Sequence, residues 1–447
     1  MWGDDMPLII EGKHPLRGEV EIGGAKNAAL PIIAASLLTG DECLLENVPY
    51  IEDIRNIVRL LQNLGVAARF EGGNTLRIKA TRISRAELPL ELTKKMRASF
   101  LIAGPLLARF GQAESSHPGG CAIGTRPVSV DLKGFQTMGA QVETLEDRYV
   151  IRAPRLQGER IMLDYPSHTG TENLMMAACL AHGTTIIENA SVEPEVMDLA
   201  GFLCAMGARV YGAGTNTIRI EGTHRLHGAA YRVMPDRMEA GTFALGALIT
   251  GGEVVMDGSV GYWLGALTNK MRDAGAEIHA NDDRYIVRAS SVLHATDFQT
   301  YPYPGFPTDL QAPFTTLLTQ ASGNSSVHET MYDGRLGYVN ELTRMGGRIT
   351  VSGSGRTAMV HGPTPLHGAD VCALDIRSGA AMVLAALCAE GETRIGNVVY
   401  IDRGYEQMAA KLCGLGAVVH RVAESEHQCP KADCGEPIEW QMVAMGK

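Results

Sequence analysis

The sequence predicts an α/β protein built from two globular halves, each made of three similar units. The first observation is a phrase that recurs six times, in which a helical pattern ends in a small-residue turn and a strand pattern follows. The glycines of these turns are Gly65, Gly139, Gly207, Gly275, Gly346 and Gly416. They are spaced by 74, 68, 68, 71 and 70 residues. The second observation is length, because 447 residues suffice for two domains with separate cores.

Each unit contains two helices of different character. The turn glycine follows the last residue of the first helix, which is typical of a left-handed C-cap, and the alternating apolar residues after it predict a strand. The second helix is rich in Ala, Gly and Met, as in residues 27–48 (NAALPIIAASLLTGDECLLENV), which predicts burial on most sides. A unit of about 70 residues can form its own α/β layer. This favours two globular halves, with a solenoid as the alternative.

The boundary between the halves is best placed at residues 231–236, where the third unit ends and Pro235 interrupts the pattern. We expect one domain over residues 26–233, which carries a glycine-rich loop at 115–126. We expect the other over residues 234–423 together with an N-terminal strand in residues 1–25. Residues 424–447 are polar and aperiodic, which predicts a loose tail.

Composition limits the function classes. The chain is 45% hydrophobic and 20% charged, as in ordinary globular proteins. A net charge of -10 argues against general nucleic-acid binding but allows an anionic small substrate. The first residues carry acid where a signal peptide needs base, and no run approaches about 20 apolar residues, so we expect a cytosolic protein without a membrane span. Its oligomeric state is expected to be a monomer or a weak homo-oligomer.

The loop 115–126 reads S-S-H-P-G-G-C-A-I-G-T-R and places one thiol, Cys121, among three glycines. Such a loop is flexible, and Arg126 favours the thiolate by its charge. The alternative is a surface turn that happens to carry a cysteine. Six other cysteines lie in apolar runs and are interpreted as buried, inert thiols: Cys43, Cys179, Cys204, Cys372, Cys388 and Cys413. Cys429 and Cys434 form a lone C-x4-C, which is a weak zinc signal, so no metal or cofactor is expected.

Six ordered motifs suggest a family. They are G-G-A-K-N-A-A-L-P (23–31), K-K-M-R-A-S (94–99), P-G-G-C-A-I-G-T-R-P-V (118–128), P-D-R-M-E-A-G-T-F (235–243), F-P-T-D-L-Q-A (306–312) and I-D-R-G-Y-E (401–406). Because the chain carries these six motifs in this order, residues 8–422 resemble the enolpyruvyl transferases. The resemblance implies two inside-out α/β domains that face each other across a cleft. It also implies two substrates, phosphoenolpyruvate and UDP-N-acetylglucosamine, no cofactor, and release of phosphate.

The resemblance assigns cations to the anionic substrates, and the planar fork of arginine suits phosphate and carboxylate groups. It implies that Lys26, Arg126 and Arg403 bind the phosphate of phosphoenolpyruvate. Its carboxylate would be bound by Arg335, Arg377 and Arg403. The alternative for any single arginine is a solvated surface position.

The resemblance also assigns the chemistry. Cys121 is the candidate acid, since a thiol with a reference pKa of about 8.5 holds a proton at neutral pH and releases it. Asp309 is the candidate base on the sugar hydroxyl, with a helix N-cap as the alternative. The catalytic set is completed by Lys26 and Arg403. The residues implied to bind the sugar nucleotide are Asn27, Arg97, Arg126, Pro127, Val128, Ser129, Val130, Tyr165, Ser167, His168, Asp309 and Met331.

Several positions depart from the family pattern. His168 and Thr169 replace small or apolar residues, Ser129 stands where an acidic residue is frequent, and Tyr303 stands where some relatives carry His. These differences allow ordinary lineage variation or an altered nucleotide acceptor such as UMP. A non-catalytic anion-binding protein is a further alternative, although the combination of Cys121, Asp309 and the cations argues against it.

Overall fold

The computed structural model describes residues 6–83, 97–117 and 128–422, apart from the side chain of Arg97. Cys121, Arg126 and Pro127 lie outside the described residues, as do Cys429, Cys434 and the predicted tail at 424–447. In the described ranges, 23 strands form six small sheets, five with four strands and one with three. The four-stranded sheets are mixed, with one parallel pair at an edge and antiparallel pairs elsewhere.

Three sheets lie in residues 42–232. In spatial order, their strands are Ala230–Arg232, Glu42–Glu46, Leu76–Lys79 and Ala67–Phe70; Gln112–Ser116, Arg148–Arg152 and Gln141–Thr144; and Arg209–Tyr211, Thr217–Glu221, Thr184–Glu188 and Arg160–Met162. In the described part of residues 26–232, the α-helices are Lys26–Ala35, Glu52–Asn63, Ala103–Phe110, Ser129–Thr137, His168–Ala178 and Pro194–Ala205. Two 3-10 helices accompany them, Ser36–Leu38 and Arg97–Ile102.

Two of the other three sheets include an N-terminal strand, and all remaining strands of the three lie in residues 253–421. Their strands are Glu277–Ala280, Arg284–Arg288, Glu253–Asp257 and Arg17–Glu19; Phe298–Gln299, Gly323–His328, Thr357–Gly362 and Ile349–Val351; and Asp370–Cys372, Glu392–Gly396, Leu8–Glu11 and Val418–Arg421. The α-helices are Arg237–Thr250, Gly265–Asp273, Gln311–Leu318, Val339–Arg344, Ile376–Cys388, Val399–Asp402 and Met408–Gly414. The 3-10 helices are Gly258–Trp263, Thr308–Leu310 and Arg335–Tyr338.

Two hydrophobic cores underlie the sheets. One is formed by buried side chains between Ala25 and Val233, and the other by residues 8–22 together with residues 238–417. In the second core the helices Arg237–Thr250, Gln311–Leu318 and Ile376–Cys388 pack against one another, and nearly every residue in them is buried. Their Ala and Gly content permits this close approach, as the sequence predicted. None of the helices in the described part of the chain has the length and apolar character needed to cross a membrane.

The predicted turn glycines are confirmed. All six have positive φ, from 90° at Gly65 to 99° at Gly346, and a strand begins within three residues of each. Two other expectations are wrong. The loop predicted from residue 115 starts later, because Ser115 and Ser116 pair with Tyr149 and Arg148 as the last residues of a strand. Cys204 and Cys413 are exposed, because each lies on the outer side of its helix rather than against a core.

Candidate active site

The N-terminal end of the helix Lys26–Ala35 carries the first cation of the site. The Lys26 backbone N–H donates to Asp236 Oδ2 over 3.2 Å, and its Nζ lies 3.3 Å from Asp53 Oδ2. Burial lowers the pKa of Lys26, and although Asp53 acts to raise it, the charges of Arg377 and Arg403 lower it further. A buried ammonium with a lowered pKa is suited to an anionic ligand, which would stabilise its charged form.

Asp53 connects two cations from opposite halves of the chain. Its Oδ1 accepts from Arg403 Nε over 2.8 Å, while its Oδ2 faces Lys26. Asp53 is buried in the first turn of the helix Glu52–Asn63, whose apolar face includes Ile54, Ile57 and other core residues. Asp53 stands in none of the six motifs, so local sequence does not single it out. An acid on the buried face of an amphipathic helix was the signal that could have revealed it.

A second carboxylate, that of Asp309, joins two further cations. Its Oδ2 accepts from Arg377 Nε over 3.0 Å and from Arg377 Nη2 over 2.8 Å, and its Oδ1 accepts from Arg335 Nη2 over 2.8 Å. Burial acts to raise the pKa of Asp309, but the charges of Arg377, Arg335 and Lys26 outweigh it and keep the pKa well below its usual range. The N-cap of the following helix Gln311–Leu318 is Leu310, so the helix-cap alternative for Asp309 is wrong.

The two arginines are fixed by their local structure. Arg377 follows Asp375, which forms a capping box with Ser378 at the start of the helix Ile376–Cys388. Its Nη1 donates to the hydroxyl of Tyr405 over 3.2 Å. Arg335 opens the 3-10 helix Arg335–Tyr338, and both guanidinium groups are only 3% exposed. The alternative of solvated surface arginines is therefore wrong for these two.

The residues predicted to bind the sugar nucleotide fall mainly at two neighbouring helix starts. Val128 and Ser129 begin the helix Ser129–Thr137, whose Val130 packs beside Gly170 of the helix His168–Ala178. Ser167 caps the second helix by accepting from the Gly170 N–H over 3.1 Å. The N-terminal ends of two adjacent helices favour an anionic ligand through their dipoles. Tyr165 precedes this cap and is exposed, Asn27 is half-buried on its helix, and Met331 is exposed in the other half.

His168 pairs with a buried acid. Its Nε2 lies 3.0 Å from Glu172 Oε1 one helical turn away. Burial opposes a charge on the imidazole, but the attraction of Glu172 outweighs it and raises the pKa of His168 to about 10. The positive charge of His168 is therefore held against Glu172, so this departure from the family pattern places an ion pair without net charge beside the helix starts.

The described residues contain no group of three or more His, Cys, Asp or Glu side chains arranged to hold a metal ion. Of the residues predicted for the site, Lys26 and Arg403 meet at Asp53, and Arg335 and Arg377 meet at Asp309. Cys121, Arg126, Pro127 and the side chain of Arg97 lie outside the described part of the chain.

Comparison with known proteins identifies the family of the chain. Residues 10–412 match the family described as EPSP synthase (3-phosphoshikimate 1-carboxyvinyltransferase). UDP-N-acetylglucosamine 1-carboxyvinyltransferase 2 of Carboxydothermus hydrogenoformans is 49% identical over 93% of this chain and 99% of its own. The UDP-N-acetylglucosamine 1-carboxyvinyltransferase of Gluconacetobacter diazotrophicus is 50% identical over the same shares.

Solved structures share the fold. The enolpyruvyl transferase NikO from Streptomyces tendae aligns with a TM-score of 0.85 at 24% identity, covering 95% of this chain and all of that one. EPSP synthase from Acinetobacter baumannii aligns with a TM-score of 0.71 at 17% identity, covering 93% of this chain and all of that one. The chain has the enolpyruvyl transferase fold with six small sheets, and it belongs to the EPSP synthase family, in the group of the UDP-N-acetylglucosamine 1-carboxyvinyltransferases.

Proposed function

We propose that this protein transfers the enolpyruvyl group of phosphoenolpyruvate to the 3-hydroxyl of UDP-N-acetylglucosamine and releases phosphate. The observation that supports this is the meeting of Lys26, Arg403, Arg335 and Arg377 around Asp53 and Asp309. A ligand with a phosphate and a carboxylate at close range matches two adjoining pairs of cations. Relatives that are 46–50% identical carry the name of this enzyme.

Each pair of cations has a proposed partner on phosphoenolpyruvate. Lys26 and Arg403, with Arg126 from the segment 118–127, bind the phosphate. Arg335 and Arg377 bind the carboxylate, and Arg403 contributes to both groups. Asp53 and Asp309 offset part of the positive charge of these cations, so binding exchanges internal ion pairs for pairs with the substrate.

The reaction follows addition and elimination. Cys121 donates a proton to the methylene carbon of phosphoenolpyruvate, while the sugar 3-hydroxyl oxygen bonds to C2 and passes its proton to Asp309. The product is a tetrahedral ketal. Loss of a proton from the new methyl group then forms the carbon–carbon double bond as the C2–O bond to phosphate breaks. Phosphate leaves with that bonding pair, and no oxidant, metal or cofactor enters the balance.

Asp309 becomes a better base when phosphoenolpyruvate binds. In the free chain Arg377 and Arg335 hold its pKa below the usual range, which makes it fully ionised but weakly basic. A substrate carboxylate that shares these arginines adds negative charge nearby and weakens their hold. The pKa of Asp309 then rises toward that of a competent proton acceptor.

The acceptor is proposed to bind along the two helix starts. Val128, Ser129, Val130, Tyr165, Ser167 and His168 supply one side of this site, together with Arg97, Arg126 and Pro127. Asn27, Asp309 and Met331 supply the side near the reacting hydroxyl. The N-terminal ends of these two helices suit a substrate with a diphosphate.

The two halves are proposed to act as domains that close on the substrates. One comprises residues 26–233 with the loop that carries Cys121, and the other residues 1–25 and 234–423. Closure removes water from the reacting groups. Small-angle scattering should show compaction on addition of UDP-N-acetylglucosamine, and an unchanged envelope would contradict closure. The cytosol is the proposed location.

One assay tests the function. Inorganic phosphate is measured with phosphoenolpyruvate alone, and then with UDP-N-acetylglucosamine, other UDP-sugars or UMP added. We expect phosphate only when UDP-N-acetylglucosamine is present. Turnover with UMP instead would favour the alternative acceptor suggested by His168, Thr169, Ser129 and Tyr303. Absence of turnover with every acceptor would favour a non-catalytic anion-binding protein.

Fosfomycin gives a companion test of Cys121, because the family resemblance implies that the drug alkylates this thiol. We expect fosfomycin to inactivate the wild-type protein. Cys121→Asp should resist it and keep turnover, since a carboxylic acid can also supply the proton. Labelling of the Asp variant equal to that of the wild type would show that another residue reacts.

A further inference from the structure

We infer that Glu329 is a positioning residue that fixes the turn bearing Asp309, an inference that rests on the proposed function. Glu329 follows the strand Gly323–His328, and it has no exposed surface. Its carboxylate forms no ion pair with the residues that the structure describes. A buried carboxylate normally requires several donors in place of water, and this one has them.

The carboxylate of Glu329 joins three separate segments. Its Oε1 accepts from Thr300 Oγ1 over 3.0 Å. The same oxygen accepts from the backbone N–H groups of Met331 and Tyr332 over 2.7 and 3.2 Å. Its Oε2 accepts from Thr308 Oγ1 over 3.0 Å. One side chain therefore fixes Thr308, the residue before Asp309, and the loop that carries Met331. Asp309 and Met331 are the residues proposed to contact the acceptor.

Two further side chains that hold the Asp309 turn are proposed substrate-binding groups. Arg335 Nη2 donates to the Thr308 carbonyl over 3.1 Å and to Asp309 Oδ1 over 2.8 Å. Arg377 binds the other carboxylate oxygen of Asp309. In the proposed reaction, both arginines exchange some of their hydrogen bonds to Asp309 for hydrogen bonds to phosphoenolpyruvate. The bond from Thr308 to Glu329 involves neither arginine, so it keeps Asp309 in place when the arginines engage the substrate.

Substitutions can separate the effect of the Glu329 charge from the effect of its shape and hydrogen bonds. In Glu329→Gln the amide oxygen can keep the three donors at Oε1, while the amide N–H₂ donates to the Thr308 hydroxyl, which can accept. Glu329→Leu removes all four bonds. Thr308→Val removes only the bond to the Asp309 turn. Thr316→Val is the matched control, because the buried Thr316 hydroxyl donates only within its own helix, to the Ala312 carbonyl.

The experiment measures kcat and the KM for each substrate, with melting temperature alongside. We expect Thr308→Val and Glu329→Leu to lower kcat by about 10- to 100-fold with the KM for phosphoenolpyruvate nearly unchanged, since a displacement of about 1 Å has such an effect. The kcat of Glu329→Gln should stay at least about 5-fold higher than that of Glu329→Leu. The double variant Thr308→Val/Glu329→Leu should be no slower than Glu329→Leu. Thr316→Val should lower the melting temperature without lowering kcat.

Two results would overturn the inference. One is an unchanged kcat in Thr308→Val and Glu329→Leu, and the other is a kcat loss in Thr316→Val as large as theirs. Failure of the proposed function appears separately, as absence of phosphate release by the wild type. In that case hydrogen–deuterium exchange tests whether Glu329 holds the Asp309 turn in place. Glu329→Leu should speed exchange at residues 300–310 and 329–332, Thr316→Val should not, and equal protection in both would contradict the positioning role.

Discussion

At the scale of single residues, the site is organised by two carboxylates rather than by its cations. Lys26, Arg403, Arg335 and Arg377 would repel one another at short range, and burial would increase the cost. Asp53 and Asp309 offset much of that cost. The same pairs can be exchanged for pairs with the anionic groups of the proposed substrate.

A single arginine also completes the far end of the first core. Arg109 Nη1 donates to three carbonyls, those of Leu37, Thr39 and Ala80, over 2.9, 2.7 and 2.9 Å. Two of these end the helical segment that begins at Lys26. In the second core a backbone group, rather than a side chain, donates to such a carbonyl. The Lys13 N–H donates to the Leu387 carbonyl.

We predict that Arg109→Met lowers the free energy of unfolding by about 2–4 kcal/mol, because three carbonyls lose a charged donor. Arg109→Lys should recover part of this, since an ammonium can still reach some of them. Urea denaturation followed by circular dichroism measures the change. Arg155→Met is the control, because Arg155 is exposed and lines the same cavity of about 570 Å³. Equal losses in the Met variants of both arginines would contradict the capping role.

The sequence predicts the substrate-facing residues better than their partners. Lys26, Asp309 and Arg403 stand in motifs, so local sequence identifies them. Asp53 and Glu329 stand in no motif, and their importance depends on contacts across the fold. Asp53 meets Arg403, which is 350 residues away in the chain. Only the tertiary structure brings such partners together.

At the scale of elements, the six turn glycines give the fold its regularity. Their φ angles agree within 9° although the surrounding sequences differ. Each glycine lies between the end of a helix and the start of a strand. The chain therefore leaves the helix in the same direction in all six units. Local sequence was sufficient to predict this because the left-handed C-cap depends on one residue type.

These glycines allow a prediction that separates backbone strain from crowding. Gly139 has φ 91° and no neighbour within 4 Å of an added Cβ, so Gly139→Ala should cost only about 1–2 kcal/mol of strain. Gly346 has φ 99°, and an added Cβ would lie 2.9 Å from His367 Cε1. Gly346→Ala should therefore cost more than Gly139→Ala. Chemical denaturation of both variants measures the difference, and equal losses would show that the His367 ring moves aside freely.

At the scale of the whole molecule, the halves are joined by polar contacts that local sequence does not predict. Glu406 accepts from the Tyr50 N–H over 3.1 Å and from Asn74 Nδ2 over 2.8 Å. The N-terminal strand Leu8–Glu11 pairs with both Glu392–Gly396 and Val418–Arg421, which ties the start of the chain to its end. The repeats indicate how many units exist, but these long-range pairings decide how the units assemble.

Arg237 forms the most deeply buried of these contacts. Its Nε and Nη2 donate to the two carboxylate oxygens of Glu195 over 2.9 and 3.0 Å, and Nη2 also binds Glu193. The guanidinium lies 5.4 Å from the ring centre of Tyr303, whose N–H donates to Glu193 over 3.1 Å. An arginine and a tyrosine of the second half thus close on two acids of the first half.

We predict that Arg237→Met weakens this junction and opens the molecule. The change leaves Glu195 buried without its cation, which should lower the free energy of unfolding by about 3–5 kcal/mol at neutral pH. The loss should be smaller near pH 5, because burial raises the pKa of an unpaired Glu195 and protonation then removes its charge. Small-angle scattering should show a larger radius of gyration for Arg237→Met than for the wild type, both measured without ligand.

Arg225→Met is the control, since Arg225 forms an exposed pair with Asp41 within one half and should change stability by less than about 1 kcal/mol. A radius equal to that of the wild type in Arg237→Met would show that the remaining contacts, such as Glu406 with Asn74, suffice to hold the halves together.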